Sequence, residues 1–80
     1  MSSRRVKFTY SETLITEPII YQLAHKFDIV TNICRADVRK DMGWVVLELV
    51  GDDNEIDKGL EWIVSAGVRV SPVAGDIIEG

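Results

Sequence analysis

The hydrophobic periodicity of the chain changes repeatedly within 80 residues, and this succession restricts the possible folds more than any other feature. Apolar and polar residues alternate over Arg5–Tyr10, which is typical of a strand with one buried face. Alternation returns over Trp44–Val50 and again over the short segment Val68–Ser71. The apolar members of these three predicted strands are Val6, Phe8, Tyr10, Val45, Leu47, Leu49, Val68 and Val70.

Two segments between these strands have helical spacing. In the first, Thr16, Glu17 and Pro18 provide a capping side chain, an early acid and a proline in the first turn, which all favour a helix start. We expect this helix to end near Asp28. Its apolar stripe consists of Ile20, Leu23, Ala24 and Phe27.

The second helical segment begins at a run of acidic residues. Asp52 followed by Glu55 fits a capping box, and carboxylates at this position complement the helix dipole. The helical capping interpretation is preferred to a calcium loop, because the glycine and distal glutamate of an EF-hand are absent. Gly67 stands where a left-handed C-cap is expected. The apolar stripe consists of Ile56, Leu60, Ile63 and Val64.

A fourth strand is predicted over Ile29–Arg39, where β-branched residues are frequent but neither face is purely apolar. Its pattern allows a β-bulge and suggests contacts on both faces. A turn at Lys40–Gly43 would join it to the next strand as a hairpin. One face would carry Ile29, Thr31 and Ile33, and the other Val30, Asn32, Cys34 and Ala36.

The resulting order βαββαβ predicts an α+β, ferredoxin-like sandwich with a four-stranded antiparallel sheet and two helices on one face. We expect a single domain over residues 1–80, with an ordered core from about residue 5 to 73 and a loose tail from Gly75. The other sheet face would remain open. It would present Arg5, Lys7, Thr9, Asn32, Cys34, Trp44, Val46, Glu48, Arg69 and Ser71.

Composition restricts the partners of such a domain. The net charge of −4 and the isoelectric point near 4.8 disfavour nucleic acid, which needs clustered cations. No segment resembles a signal peptide or a membrane helix, so we expect a cytoplasmic protein without direct membrane insertion. A core of this size has modest stability, which favours a homodimer or attachment to a partner.

The chain contains no recognisable catalytic residues, metal ligands or cofactor motif, and we therefore do not expect an enzyme. His25 has no nearby ligand at metal spacing and is interpreted as a surface histidine. Cys34 is interpreted as a small buried residue rather than a reactive thiol. At least one of Trp44 and Trp62 is expected to be partly exposed, as interface anchors often are, although edge-of-core packing explains Trp62 equally well.

Several short segments resemble the NIL domain family, named for an Asn-Ile-Leu motif in its second strand. The matching segments are Glu17–Ile20, Lys26–Asp28, Asn32–Cys34, Gly43–Gly51 and Gly67–Val70, within a likeness that extends from about Arg5 to Val73. In this chain Cys34 occupies the third position of the motif. The resemblance implies a ferredoxin-like fold, in agreement with the periodicity.

The same resemblance implies a function. NIL domains occur at the C-terminus of the ATPase subunit of bacterial methionine importers, where they pair and bind methionine to restrain transport. By this likeness Asn32, Ile33 and Cys34 are the candidate ligand-binding residues. In Gly43-Trp44 and in the ending Pro72-Val73-Ala74-Gly75-Asp76, the chain is also similar to NIL domains that precede a ferredoxin-type iron–sulfur module. We expect either a stand-alone member or a piece of a longer protein, and no cluster.

Two functions follow as hypotheses. The first is a homodimeric regulatory domain that senses an amino acid, with methionine as the leading candidate. The second is a protein interaction module that docks on a redox protein of ferredoxin type or on a transport protein. For the second hypothesis, the candidate interaction face contains Lys7, Trp44 and Glu48.

Overall fold

The computed structural model describes residues 2–11 and 18–73. Within these residues, the elements follow one another in the predicted order βαββαβ. They are β1 (Ser2–Ser11), α1 (Ile19–Lys26), β2 (Ile29–Val38), β3 (Met42–Gly51), α2 (Asp53–Ser65) and β4 (Arg69–Pro72).

The four strands form one antiparallel sheet in the order β2-β3-β1-β4. This order places β1 and β3 in the centre and leaves β2 and β4 at the edges. The ten residues of β1 pair continuously with β3, from Ser2 opposite Gly51 to Ser11 opposite Met42. The predicted ferredoxin-like fold is therefore confirmed.

The core lies between one face of the sheet and the two helices. Phe8, Leu47 and Leu49 are fully buried there, because the period of two directs them all to the helical side. From the helices, Ile19 and Leu23 of α1 meet Ile56 and Ile63 of α2 and complete the core. Val68 and Ile29 close it at the sides.

At the two ends of α2, the predicted C-cap is confirmed and the predicted capping box is wrong. Gly67 adopts φ 100°, and its N–H donates to the carbonyl oxygen of Val64 at 3.0 Å. The N–H of Val68 donates to the carbonyl oxygen of Ile63 at 3.2 Å, which completes a Schellman C-cap, as Gly67 predicted. The capping box is wrong, because the Glu55 Oε1 instead accepts a hydrogen bond from the backbone N–H of Asp28 at 3.0 Å.

Two other details of the helices differ from the prediction. Val64 is 58% exposed although it was assigned to the apolar stripe of α2. It lies about 80° around the helix from Ile56, and Gly59, on the other side of Ile56, approaches the sheet in its place. Helix α1 ends at Lys26 rather than near Asp28, and Pro18 occupies its N-cap position. The predicted caps Thr16 and Glu17 lie outside the described residues, as does the tail from Gly75.

Candidate functional site

The predicted ligand-binding segment lies on the edge strand β2, at a β-bulge. The pairing with β3 runs from Ile29 opposite Gly51 to Ile33 opposite Leu47, and then resumes with Arg35 opposite Val46. Cys34 is the extra residue between the two registers. An inserted residue shifts the alternation by one position, so it re-aims every side chain beyond it.

The three candidate residues do not share one side of the strand, because alternation separates Asn32 from Ile33 and the bulge follows at Cys34. Asn32 lies opposite Glu48 on the open face, whereas Ile33 lies opposite Leu47 on the helical side. Cys34 is exposed at the bulge, and its thiol Sγ lies 3.9 Å from the carbonyl oxygen of Asn32. The interpretation of Cys34 as a buried residue is therefore wrong, because the edge position offers no neighbouring strand to cover it.

The phase shift also corrects the assignment of Ala36. Ala36 lies opposite Val45, whose side chain is in the core, so it belongs to the helical side and not to the open face. In its place, the shift brings Arg35 and Asp37 onto the open face, opposite Val46 and Trp44. The sequence could not show this, because the position of a bulge depends on the partner strand.

The sequence suggested contacts on both faces of β2, but within one chain both faces are largely exposed. Ile33 is 60% exposed and Val38 56% exposed on the helical side, and Val30 is 58% exposed on the open face. The two helices extend over Ile29 but not along the rest of the strand. An edge strand with exposed apolar side chains and an unpaired backbone is the usual template for pairing with another chain.

The carboxamide of Asn32 is available for a ligand. Among residues 2–11 and 18–73, no side chain or backbone group forms a hydrogen bond with it, and the residue is exposed. Such an amide offers both a donor and an acceptor, and the free edge of β2 adds further backbone donors and acceptors. The segment therefore has the polar groups that a small zwitterion needs, but a single copy does not enclose them.

The predicted interaction residues Lys7, Trp44 and Glu48 lie together on the open sheet face. The Lys7 ammonium lies 5.1 Å from the centre of the Trp44 ring, a cation–π distance. Glu48 accepts a hydrogen bond from the Ser3 hydroxyl at 2.7 Å. Trp44 is half-buried, which agrees with the prediction of partial exposure. Trp62 is also half-buried, but it packs against Phe27 on the helical side, with ring centres 6.2 Å apart.

A cavity of about 650 Å³ opens at the end of the sheet where β1 finishes and β3 begins. No sequence pattern marks this cavity, because its walls come from three separate parts of the chain. They are Thr9, Tyr10, Ser11, Asp41, Met42, Gly67 and Arg69. Burial of Tyr10 beside this cavity raises its pKa to about 12. Neither this cavity nor the smaller hollows on α2 and beside Trp44 includes Asn32, Ile33 or Cys34.

The other side chains that could bind a metal or take part in a reaction are not grouped together. His25 is exposed, as predicted, and stacks on Tyr21 with ring centres 5.5 Å apart. In the described part of the chain, no three His, Cys, Asp or Glu side chains are grouped so that they could hold a metal ion. The described helices are too short or too polar to cross a membrane.

Comparison with known proteins agrees with the ferredoxin-like fold. A family model described as the NIL domain matches residues 4–72. Among solved structures, the C-terminal domain of an ABC transporter/ATP-binding protein from Enterococcus faecalis is similar, with a TM-score of 0.79 and 14% sequence identity. The likeness covers 91% of this chain and 86% of that chain.

A second solved structure, the de novo designed protein Ferredog-Diesel, is also similar. Its TM-score is 0.53 at 14% identity, with 88% of this chain and 84% of that chain covered. At these identities, both likenesses show the fold alone. Comparison with curated protein sequences finds no match.

Proposed function

The chain belongs to the NIL domain family, and from this membership we propose that it is a non-catalytic regulatory domain that binds an amino acid as a homodimer. Methionine is the first ligand to test, in keeping with the family resemblance. The similar domain from an ABC transporter ATP-binding protein supports a transport-associated, regulatory setting. The proposal places the domain in the cytoplasm.

The observation that carries this proposal is the environment of Asn32 on the edge strand β2. Its carboxamide has no partner among the described residues, and it stands on an edge strand whose backbone is unpaired on one side. In a single copy this exposed carboxamide is open to water, and a ligand or a second chain could replace that water with its own hydrogen bonds.

A second copy of the chain would enclose the polar groups around Asn32, which a single copy leaves open. Two β2 edges related by a two-fold axis would pair antiparallel and join the two sheets into one. The exposed side chains of Ile33 and Val38 would then leave water on the helical side of the joined sheet. Removal of this apolar area from water is favourable, at about 25 cal/mol per Å².

The seam, which is the interface between the two paired β2 strands, would also form a pocket suited to an amino acid. The Asn32 amide and free backbone groups near the bulge could satisfy an α-ammonium and an α-carboxylate. The exposed side chain of Val30, two residues before Asn32 on the same open face, and its copy across the axis would contact the side chain of the ligand. Specificity for methionine would then come from this apolar part of the seam.

Thermal unfolding with a panel of free amino acids tests the proposal. A ligand present at about 100 times its dissociation constant adds about 2.7 kcal/mol to the free energy of unfolding. We expect methionine at millimolar concentration to raise the melting temperature of the unmodified chain and not that of Asn32→Ala. Asn54→Ala, which changes an exposed asparagine on α2, is the matched control and should retain the shift. An unchanged melting temperature with every amino acid would contradict ligand binding.

A second candidate function is docking on a redox protein of ferredoxin type or on a transport protein, and the position of Trp44 favours it. A half-buried tryptophan on a central strand of an uncovered sheet face is a frequent interface anchor. Capture of a purified candidate partner should be lost in Trp44→Ala. Retention of capture in both Trp44→Ala and Lys7→Glu would show that the open face is the wrong surface.

A further inference from the structure

Charge is distributed unevenly between the two sides of the domain. The open face carries four cations and two carboxylates, although the chain as a whole has a net charge of −4. These residues are Arg5, Lys7, Arg35, Arg69, Asp37 and Glu48. The helical side is acidic, with Asp52, Asp53, Asp57 and Glu61 exposed on or beside α2.

The two carboxylates of the open face are already engaged. Asp37 forms an ion pair with Arg39 at 3.1 Å, and Glu48 accepts the Ser3 hydroxyl. In contrast, Lys7, Arg35 and Arg69 have no carboxylate within ion-pair distance among residues 2–11 and 18–73. The face therefore has positive charge that its own acids do not neutralise.

Between these cations lies an apolar strip. Trp44 and Val46 are neighbours on this face of β3, and Val50 follows after Glu48; all three apolar side chains are half-buried and uncovered by either helix. Lys7 borders this strip on β1, and Arg35 borders it on β2, opposite Val46. Cations that flank an apolar strip complement a partner in which carboxylates flank apolar side chains.

We propose that the open sheet face, around Lys7, Trp44 and Arg35, is a docking surface for an acidic protein segment whose carboxylates alternate with apolar or aromatic side chains. This inference rests on the docking function and specifies the chemistry of its partner. The partner's carboxylates meet Lys7 and Arg35, and its apolar groups cover the strip of β3. A nucleic acid fits less well, because the surrounding acidic surface repels a continuous polyanion.

The test uses a random copolymer of glutamate and tyrosine as the probe, added to the full isotope-labelled chain and followed by NMR. We expect amide shifts around Lys7, Arg35 and Trp44 and none along the exposed side of α2. Binding should weaken by about tenfold in Lys7→Glu, and it should also weaken as salt rises.

Lys26→Glu is the matched control, because Lys26 also lies over a tryptophan, 5.6 Å from the Trp62 ring, but on the helical side. It makes the same change of net charge and should alter affinity by less than about twofold. Lys7→Gln serves as a second variant if Lys7→Glu does not fold, and it should weaken binding by an intermediate amount.

The inference would be overturned by equal weakening in the Lys7 and Lys26 variants, by shifts confined to α2, by no binding of the copolymer, or by tighter binding of a thymidine oligonucleotide. Loss of binding in Trp44→Ala with no effect of Lys7→Glu would remove the acidic partner but leave docking at this face intact. If neither variant changes a measurable affinity, both the inference and the docking function fail.

Discussion

Leu47 and Ile33 lie opposite one another on the same side of the sheet, yet Leu47 is completely buried and Ile33 is 60% exposed. Leu47 is on the central strand β3, between β1 and β2, and Ile33 is on the edge strand β2. The same type of side chain at neighbouring positions therefore has two roles. In the centre it holds the domain together, and at the edge it remains exposed in a single copy.

Truncation of the two residues should have very different effects, and this is the largest one that we expect. Leu47→Ala removes a fully buried side chain and leaves a cavity, so it should lower the free energy of unfolding by about 3 kcal/mol. Ile33→Ala should lower it by less than about 0.5 kcal/mol in the monomer. Urea denaturation at low protein concentration measures both. Similar losses would break the distinction between centre and edge.

Because Tyr10 on the central strand β1 is buried, the free energy of unfolding should also depend on pH in the alkaline range. Burial raises the pKa of Tyr10 from 10.0 to about 12, so the unfolded chain loses this proton first as the pH rises. The contribution is fully present below pH 10 and is lost as the pH rises through 12, with a total of about 2.7 kcal/mol.

Tyr10→Phe isolates this contribution in urea denaturation between pH 9 and 12. The unmodified chain should lose stability relative to the variant over this range. Tyr21→Phe, which changes a tyrosine that is 67% exposed, is the control and should follow the unmodified chain. A constant difference between the unmodified chain and Tyr10→Phe would contradict the role of burial.

The smallest of these effects concerns the other edge, where Gly67 precedes β4. With φ at 100°, this position disfavours a side chain, and Gly67→Ala should cost about 1 kcal/mol. Gly67→Asn should cost less, because asparagine tolerates the left-handed conformation. Thermal or urea unfolding distinguishes the two, and equal costs would show that the backbone conformation is not the cause.

Much of this fold was predictable from local pattern. The alternation around Val6, Phe8 and Tyr10 and around Leu47 and Leu49 is clear because each central strand has one face in the core. Gly67 was informative because few residues adopt its conformation. In these regions local preference and tertiary packing favour the same structure.

The candidate site was predictable only in part. The Asn32 segment was identified from a resemblance, but the exposure of Cys34 and the change of face at Ala36 depend on pairing with β3. Glu55 contacts Asp28 rather than its own helix terminus, since a tertiary contact competes with the local cap. The cavity beside Tyr10 joins residues distant in sequence and has no local pattern.

The most direct test of the central claim, that the edge strand β2 is the seam of a homodimer, is the mass of the chain in sedimentation velocity. We predict a dimer that becomes a monomer in Ile33→Lys and remains a dimer in Val64→Lys, which places the same charge at an equally exposed apolar site on α2. A monomer at all protein concentrations, with and without methionine, or a dimer that persists in Ile33→Lys, would contradict it.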